Sequence, residues 1–301
     1  MCRLLGVLTR DETPLVDAVP DELPLFTALS ERHKDGWGVA WYPRPGEESL
    51  GAELSGATGE PQVRRGTDTA LASTGYGEAT REAYGPMMLV HLRRASPGLV
   101  LSLENTHPFL AGPVAFAHNG QFDLTARIRS RILDHGGRQP LGTTDSELFF
   151  SLITAHAPEL GWARATQYAA AELTAITREE AGRVPESLNC LLMTPGALVA
   201  YAQADPAQAP PDQPREVYDL RVRVDPERVI VSSSGYDQNG STTLGRELPA
   251  IRPERSDNPL TAARSGDCVV RRPFRDFVSA LRGTLQDPHR RRIRLNRALT
   301  Q

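Results

Sequence analysis

Cys2 directly follows Met1, and removal of an initiator methionine in the cytosol requires a small second residue such as this one. The mature chain would then begin with a thiol and a free α-amine on one residue, pairing a nucleophile with its own base. The thiol has an unperturbed pKa of about 8.5 and the α-amine one of about 7.7–8.0, so both titrate close to neutral pH. Proton transfer between them, directly or through one water, needs no catalytic histidine. A cysteine also falls at position 2 by chance, so position alone is not decisive.

A thiolate that attacks an amide carbonyl creates an oxyanion, and each donor aimed at that oxyanion lowers the barrier by roughly 2.7–4 kcal/mol. His118-Asn119-Gly120 is the candidate source. Asn119 offers its side-chain NH2, and Gly120 offers a backbone N–H with no Cβ to obstruct close approach. Asn-Gly after a strand is equally the strongest short hairpin signal, so a plain turn competes with this reading.

HLRRAS at 91–96 puts Arg93 and Arg94 on opposite faces if the strand persists. An inward guanidinium could grip a carboxylate through two parallel hydrogen bonds, whereas an ordinary strand end needs no such role. GTTDSELFF at 142–150 is also double-edged. Thr144 with Glu147 fits a capping box, in which Asp145 merely favours the helix dipole; alternatively Asp145 binds a substrate ammonium.

Other chemistries lack their residues. The seven histidines, His33, His91, His107, His118, His135, His156 and His289, show no HExxH or other metal spacing, so no metal is expected. Ser234-Gly235-Tyr236 has no GxSxG context, and GYGEAT at 75–80 is no dinucleotide loop. Lys34 is the lone lysine, which leaves no GK[ST] phosphate loop. Cys2, Cys190 and Cys268 form no close pair, so neither a disulfide framework nor a CxxC site is indicated.

The elements that must position these groups follow from patterning. CRLLGVL at 2–8 reads as a strand that would hold the terminus within a sheet, ELPLFTALSERH at 22–33 as a helix and DGWGVAWY at 35–42 as a strand. Residues 43–86, rich in Pro, Gly, Glu and Ser, read as a long surface excursion, with room for a hairpin inside it. MMLVHLRR at 87–94 and PVAFAH at 113–118 look like buried strands around a loop. Apolar spacing and Ala, Leu and Glu content predict helices over 123–135, 144–157 and 161–181. NCLLMT and ALVAYA pair across Pro195-Gly196, and RVRV and RVIVSS pair across Asp225-Pro226. Strands, then helices, then strands suit an α+β layered domain better than an alternating βαβ chain.

One domain reaches to about residue 240. Residues 241–301 read as a C-terminal extension: a loop to 266, a strand in GDCVVRRPF, a helix over 274–284 and a basic tail. At 301 residues, with 40% hydrophobic and 24% charged residues and a net charge of -3, the composition is that of a globular protein. That balance suggests no nucleic acid and no membrane surface as partner, and no run supplies a signal peptide or membrane helix, so a cytoplasmic location is expected.

Taken in order, Cys2, DGWGVAW, HLRRAS, NTHPF, AHNGQ and TDSE resemble the class II glutamine amidotransferases, which are N-terminal nucleophile hydrolases. The similarity is clearest to their small stand-alone branch, which includes the γ-glutamyl hydrolase of ergothioneine synthesis. The resemblance implies a four-layer αββα sandwich. It makes Cys2 the nucleophile with its amine as general base, Asn119 and Gly120 the oxyanion hole, Arg93 the grip on a glutamyl α-carboxylate and Asp145 the acceptor of the α-ammonium. Ser96 stands where better-known members have Thr beside the substrate, and Arg94 where they usually have Trp. Ser-Ser-Gly at 233–235 replaces the Ser-Glu-Pro of small relatives. The resemblance covers about 235 residues and leaves 241–301 unexplained.

The implied substrate is glutamine or another small γ-glutamyl molecule, cleaved through a thioester without any cofactor. An ammonia donor would need a separate acceptor synthetase subunit, whereas a hydrolase of γ-glutamyl metabolites would work alone. Two rival readings stand beside it: a catalytically silent module that binds a ligand or partner on the same fold, and a peptidase or acylase. Arg93 and Asp145 argue against the last, since an acyl chain presents no zwitterion.

Overall fold

The N-terminal run is apolar without alternation because the strand it forms is covered on both sides. In the computed structural model, which describes residues 1–42, 59–205, 207–208, 215–244 and 266–271, β1 (Arg3–Pro14) lies in the middle of a seven-stranded sheet. Leu4 and Leu8 point to one face of that sheet, Leu5 and Val7 to the other, and all four are fully buried.

The other strands of this sheet are β2 (Trp37–Trp41), β3 (Gln62–Gly66), β4 (Tyr84–Leu92), β9 (Leu220–Val224), β10 (Arg228–Ser233) and β11 (Thr242–Thr243). Their order is β11-β9-β10-β1-β4-β2-β3. A second sheet, ordered β12-β8-β7-β6-β5, contains β5 (Phe109–Ala111), β6 (Val114–Gln121), β7 (Ser187–Thr194), β8 (Ala197–Ala202) and β12 (Gly266–Arg271). Every pairing in both sheets is antiparallel.

Three apolar layers define the architecture. Leu4, Leu8, Met87 and Leu89 of the first sheet meet Ala115, Ala117, Leu191 and Met193 of the second. The outer face of the first sheet is covered by α1 (Leu15–Ala18), α2 (Glu22–Ala28) and α3 (Thr74–Glu82), through Leu15, Phe26, Tyr76 and Ala79. The outer face of the second packs on α4 (Ala126–Asp134), α5 (Asp145–Leu160) and α6 (Trp162–Ala181), where Phe116 stacks on Phe150 at 4.7 Å. The result is the expected four-layer αββα sandwich.

The helices over 123–135, 144–157 and 161–181 and both strand pairs in 189–233 are found with small shifts of their ends. Other expectations need correction. The helix read over 22–33 is α2 followed by a 3₁₀ turn at Leu29–Glu31. Residues 59–86 are not a surface excursion: β3 extends the first sheet, and α3 buries Tyr76 and Ala79 against it. That amphipathic pattern is short and contains two glycines, so its composition resembles a loop. Residues 43–58 lie outside the described residues, as do the helix expected over 274–284 and the basic tail. The strand expected in GDCVVRRPF is β12, which pairs with β8.

Candidate active site

Cys2 sits immediately before β1, with the side-chain parity of Leu4 and Leu8, so its direction is toward the space between the sheets. Its Sγ lies 3.7 Å from the carbonyl oxygen of Arg94, to which the thiol donates. Burial raises the thiol pKa, while the nearby terminal ammonium, the Arg94 contact and the Arg93 guanidinium pull it back; the Asp145 carboxylate adds to the rise. Burial lowers the pKa of the terminal amine, carried by Met1. The two shifts move thiol and amine apart, so a free thiolate here depends on local cationic and hydrogen-bond support.

Arg93 follows the last residue of β4, and the sheet register brings Leu92 opposite Arg3. It is buried at 2% exposure whereas Arg94 is exposed. The two arginines thus diverge as expected, although the strand ends at Leu92. Arg93 donates from Nη1 to Asp35 O at 3.3 Å and from Nη2 to Val100 O at 3.2 Å. Asp35 also accepts from Ala95 N at 2.9 Å and donates its own N–H to Arg93 O at 3.1 Å. The strand motif DGWGVAW therefore supplies, through Asp35, the brace of the loop that presents Arg93, a role its composition did not announce.

Asn119 and Gly120 are not a hairpin turn. β6 continues through both, with Asn119 opposite Asn189 and Gly120 opposite Leu188. A Cβ on Gly120 would sit 1.8 Å from Ser187 O, so close approach of two strands is what demands glycine here. Asn119 shares the inter-sheet parity of Ala115 and Ala117, and it is 1% exposed. Neither its Nδ2 nor its Oδ1 has a hydrogen-bond partner among the described residues. A buried amide left unpaired costs about 1–3 kcal/mol, an expense native proteins accept mostly where a ligand or water completes the site.

Asp145 opens α5 and accepts from Phe122 N at 3.1 Å and Ser146 N at 2.8 Å. Burial nevertheless pushes its pKa up to about 6. Thr144 caps the helix by accepting from Glu147 N at 3.2 Å. The capping box is only half formed, because Glu147 accepts from Leu141 N and Gly142 N, each at 2.8 Å, and does not reach back to Thr144. Ser96 donates to Gln121 Oε1 at 3.3 Å, joining the Arg93 loop to the end of β6. Cys2, Arg93, Ser96, Asn119, Gly120 and Asp145 are thus carried by elements tied together at one end of the sandwich.

Two further groups escaped the sequence. Asn105 accepts from Thr143 N at 2.8 Å and donates to Val100 O at 3.1 Å, so NTHPF latches the Arg93 side to the loop before α5. A Cβ on Gly38 would meet His107 O at 2.0 Å, showing how closely that motif lies on β2. His33, which carried no metal pattern, is 4% exposed and donates from Nδ1 to Met1 O at 2.7 Å. His118 lies on the helix side of β6, with Nδ1 2.9 Å from Ser146 Oγ. Among the described residues no group of three or more His, Cys, Asp or Glu could hold a metal ion.

The layered fold is that of the N-terminal nucleophile hydrolases. It matches a class II glutamine aminotransferase domain protein from Silicibacter pomeroyi at a TM-score of 0.53 and 19% identity, covering 80% of this chain and 98% of that one. It also matches the glutamine phosphoribosylpyrophosphate amidotransferase of B. subtilis at 0.50 and 16%, covering 77% and 42%. The family model for class II glutamine amidotransferases spans residues 1–234, and the chain belongs to that family. Similar proteins include the Saccharomyces cerevisiae protein named as a probable glutamine amidotransferase, DUG3, 28% identical over 53% of this chain and 43% of its own length. Rat amidophosphoribosyltransferase is 30% identical over 44% of this chain and 26% of its own. The matched region spans about half or less of each of these relatives.

Proposed function

We propose that the protein is a cytoplasmic amidohydrolase that cleaves the γ-amide of glutamine or of another γ-glutamyl compound through a thioester on Cys2. The observation that carries this reading is the buried, unpaired amide of Asn119, whose parity along β6 is that of the inter-sheet residues Ala115 and Ala117, as the parity of Cys2 is that of Leu4 and Leu8. In this reading Arg93 takes the α-carboxylate and Asp145 the α-ammonium, so the side-chain amide is turned toward sulfur. Ser96 borders the bound amino acid.

With Met1 removed, the α-amine of Cys2 takes the thiol proton and sulfur adds to the amide carbon. Asn119 Nδ2 and the N–H of Gly120 donate to the oxyanion. Collapse of the intermediate breaks the C–N bond, and the protonated amine delivers its proton to the leaving nitrogen. Water then gives a proton to the same amine, attacks the thioester and releases glutamate with the thiol restored. No cofactor takes part. The leaving group is ammonia or a larger amine, and an ammonia donor would act beside a separate acceptor synthetase subunit. Residues 1–240 would form the catalytic unit.

The test is glutamate release from glutamine and from a panel of γ-glutamyl amides by the wild type and by Cys2→Ala. The reading requires release by the wild type only; equal release by Cys2→Ala would refute the thioester.

A further inference from the structure

We infer that His33 is the positioning residue for the α-amine of Cys2, which deepens the reading above and rests on it. His33 ends the segment that follows the 3₁₀ turn Leu29–Glu31, and it is buried beside the N-terminus. Its Nδ1–H donates to Met1 O at 2.7 Å. That oxygen belongs to the carbonyl bonded to Cys2 N, and in a peptide unit the oxygen and nitrogen are only about 2.2 Å apart. His33 Nδ1 therefore lies within about 5 Å of Cys2 N, the nitrogen that becomes the new terminus.

Excision of Met1 is a hydrolysis: water cleaves the Met1–Cys2 bond, the carbonyl oxygen leaves with methionine, and Cys2 N gains hydrogens. His33 loses its acceptor and is left beside a new donor. With the ring proton on Nε2, Nδ1 accepts an N–H of the amine, and the remaining lone pair of the neutral amine is free to face the thiol. Burial and the Arg3 guanidinium push the His33 pKa down to about 3, so the ring stays neutral and does not compete as a base. Arg3 holds the other end of the residue, donating from Nη1 to Cys2 O at 2.9 Å. Cys2 is gripped at its carbonyl by Arg3 and at its amine by His33. This arrangement fixes the direction of a base that would otherwise rotate freely.

The test compares wild type, Cys2→Ala, His33→Leu and His33→Asn, whose Oδ1 can stand near the position of Nδ1. Intact mass establishes Met1 removal in each, and kcat, KM and the pH profile of kcat/KM are measured on the best γ-glutamyl substrate. The Leu variant is expected to lose about tenfold or more in kcat, since a positioned general base contributes roughly 10²–10⁴-fold. Its KM stays within about threefold, its acid limb moves to lower pH through loss of an acceptor for the ammonium, and the Asn variant recovers most of the rate. A Leu variant with wild-type kcat and pH profile overturns the inference, as does equal loss in both variants accompanied by a fall in Tm. Absence of glutamate release by the wild type, or its persistence in Cys2→Ala, instead removes the underlying amidohydrolase reading, and the inference falls with it.

Discussion

Asp145 Oδ2 accepts the N–H of Phe122 at 3.1 Å, which ties the first residue of α5 to the residue just after β6. The carboxylate that would take a substrate ammonium is thus held by the same strand that carries Asn119 and Gly120. The hydrogen bonds it accepts from Phe122 N, Ser146 N and Ser146 Oγ lower its pKa less than burial raises it, leaving it at about 6.

That raised value makes a pH prediction. A carboxyl group whose folded pKa lies above its ordinary 3.8 adds stability at low pH, and this contribution is lost as pH rises through about 6. A shift of about two units corresponds to about 3 kcal/mol. Asp145→Asn removes this term, so Tm of the variant relative to wild type rises between pH 4 and 7. Binding should favour the ionised form, so wild-type KM falls as pH rises through about 6, and Asp145→Asn raises KM at neutral pH by at least about tenfold.

Asn119→Ala separates catalysis from stability. Loss of one oxyanion donor lowers kcat about 10²–10³-fold. Because the wild-type amide is buried and unpaired, its removal offsets part of the cavity cost, and Tm changes by only a few degrees. A rate near wild type would show that the amide does not face the reacting oxygen.

Gly120→Ala is expected to destabilise the fold. The added Cβ meets Ser187 O, a backbone atom that cannot swing aside, and β6 and β7 must separate. Denaturant unfolding should show a loss of at least about 2 kcal/mol, within the range of overpacked cores.

Arg93→Lys distinguishes a substrate grip from a structural brace. Lysine keeps the charge but loses the planar fork, so KM for a γ-glutamyl substrate rises about tenfold or more with a smaller change in kcat. If the guanidinium served only the carbonyls of Asp35 and Val100, Tm would fall and KM would not move.

Much of the layered order was legible because it rests on local patterning. The apolar run after Cys2 marked a strand held within a sheet, and the spacing in 144–181 marked two helices. The ordered motifs from Cys2 to TDSE pointed to the family to which the chain belongs. Alternation likewise put Arg93 and Arg94 on opposite sides, and the structure buries Arg93 and exposes Arg94. Residues 59–86 were misread because short β3 and glycine-containing α3 acquire their burial from β2, a partner distant in sequence.

The sequence by itself supplied the candidate groups: a thiol at position 2, an arginine after a strand, an amide and a glycine together, and a carboxylate at a helix start. Only the tertiary structure decided that Asn-Gly continues a strand instead of turning, because the choice depends on the approach of Ser187 from β7. It alone set Asp35 and Asn105 as braces and put His33 beside the terminus. Hydrogen bonds between residues far apart in the chain leave no spacing to read; they exist only once two sheets have closed over a common layer.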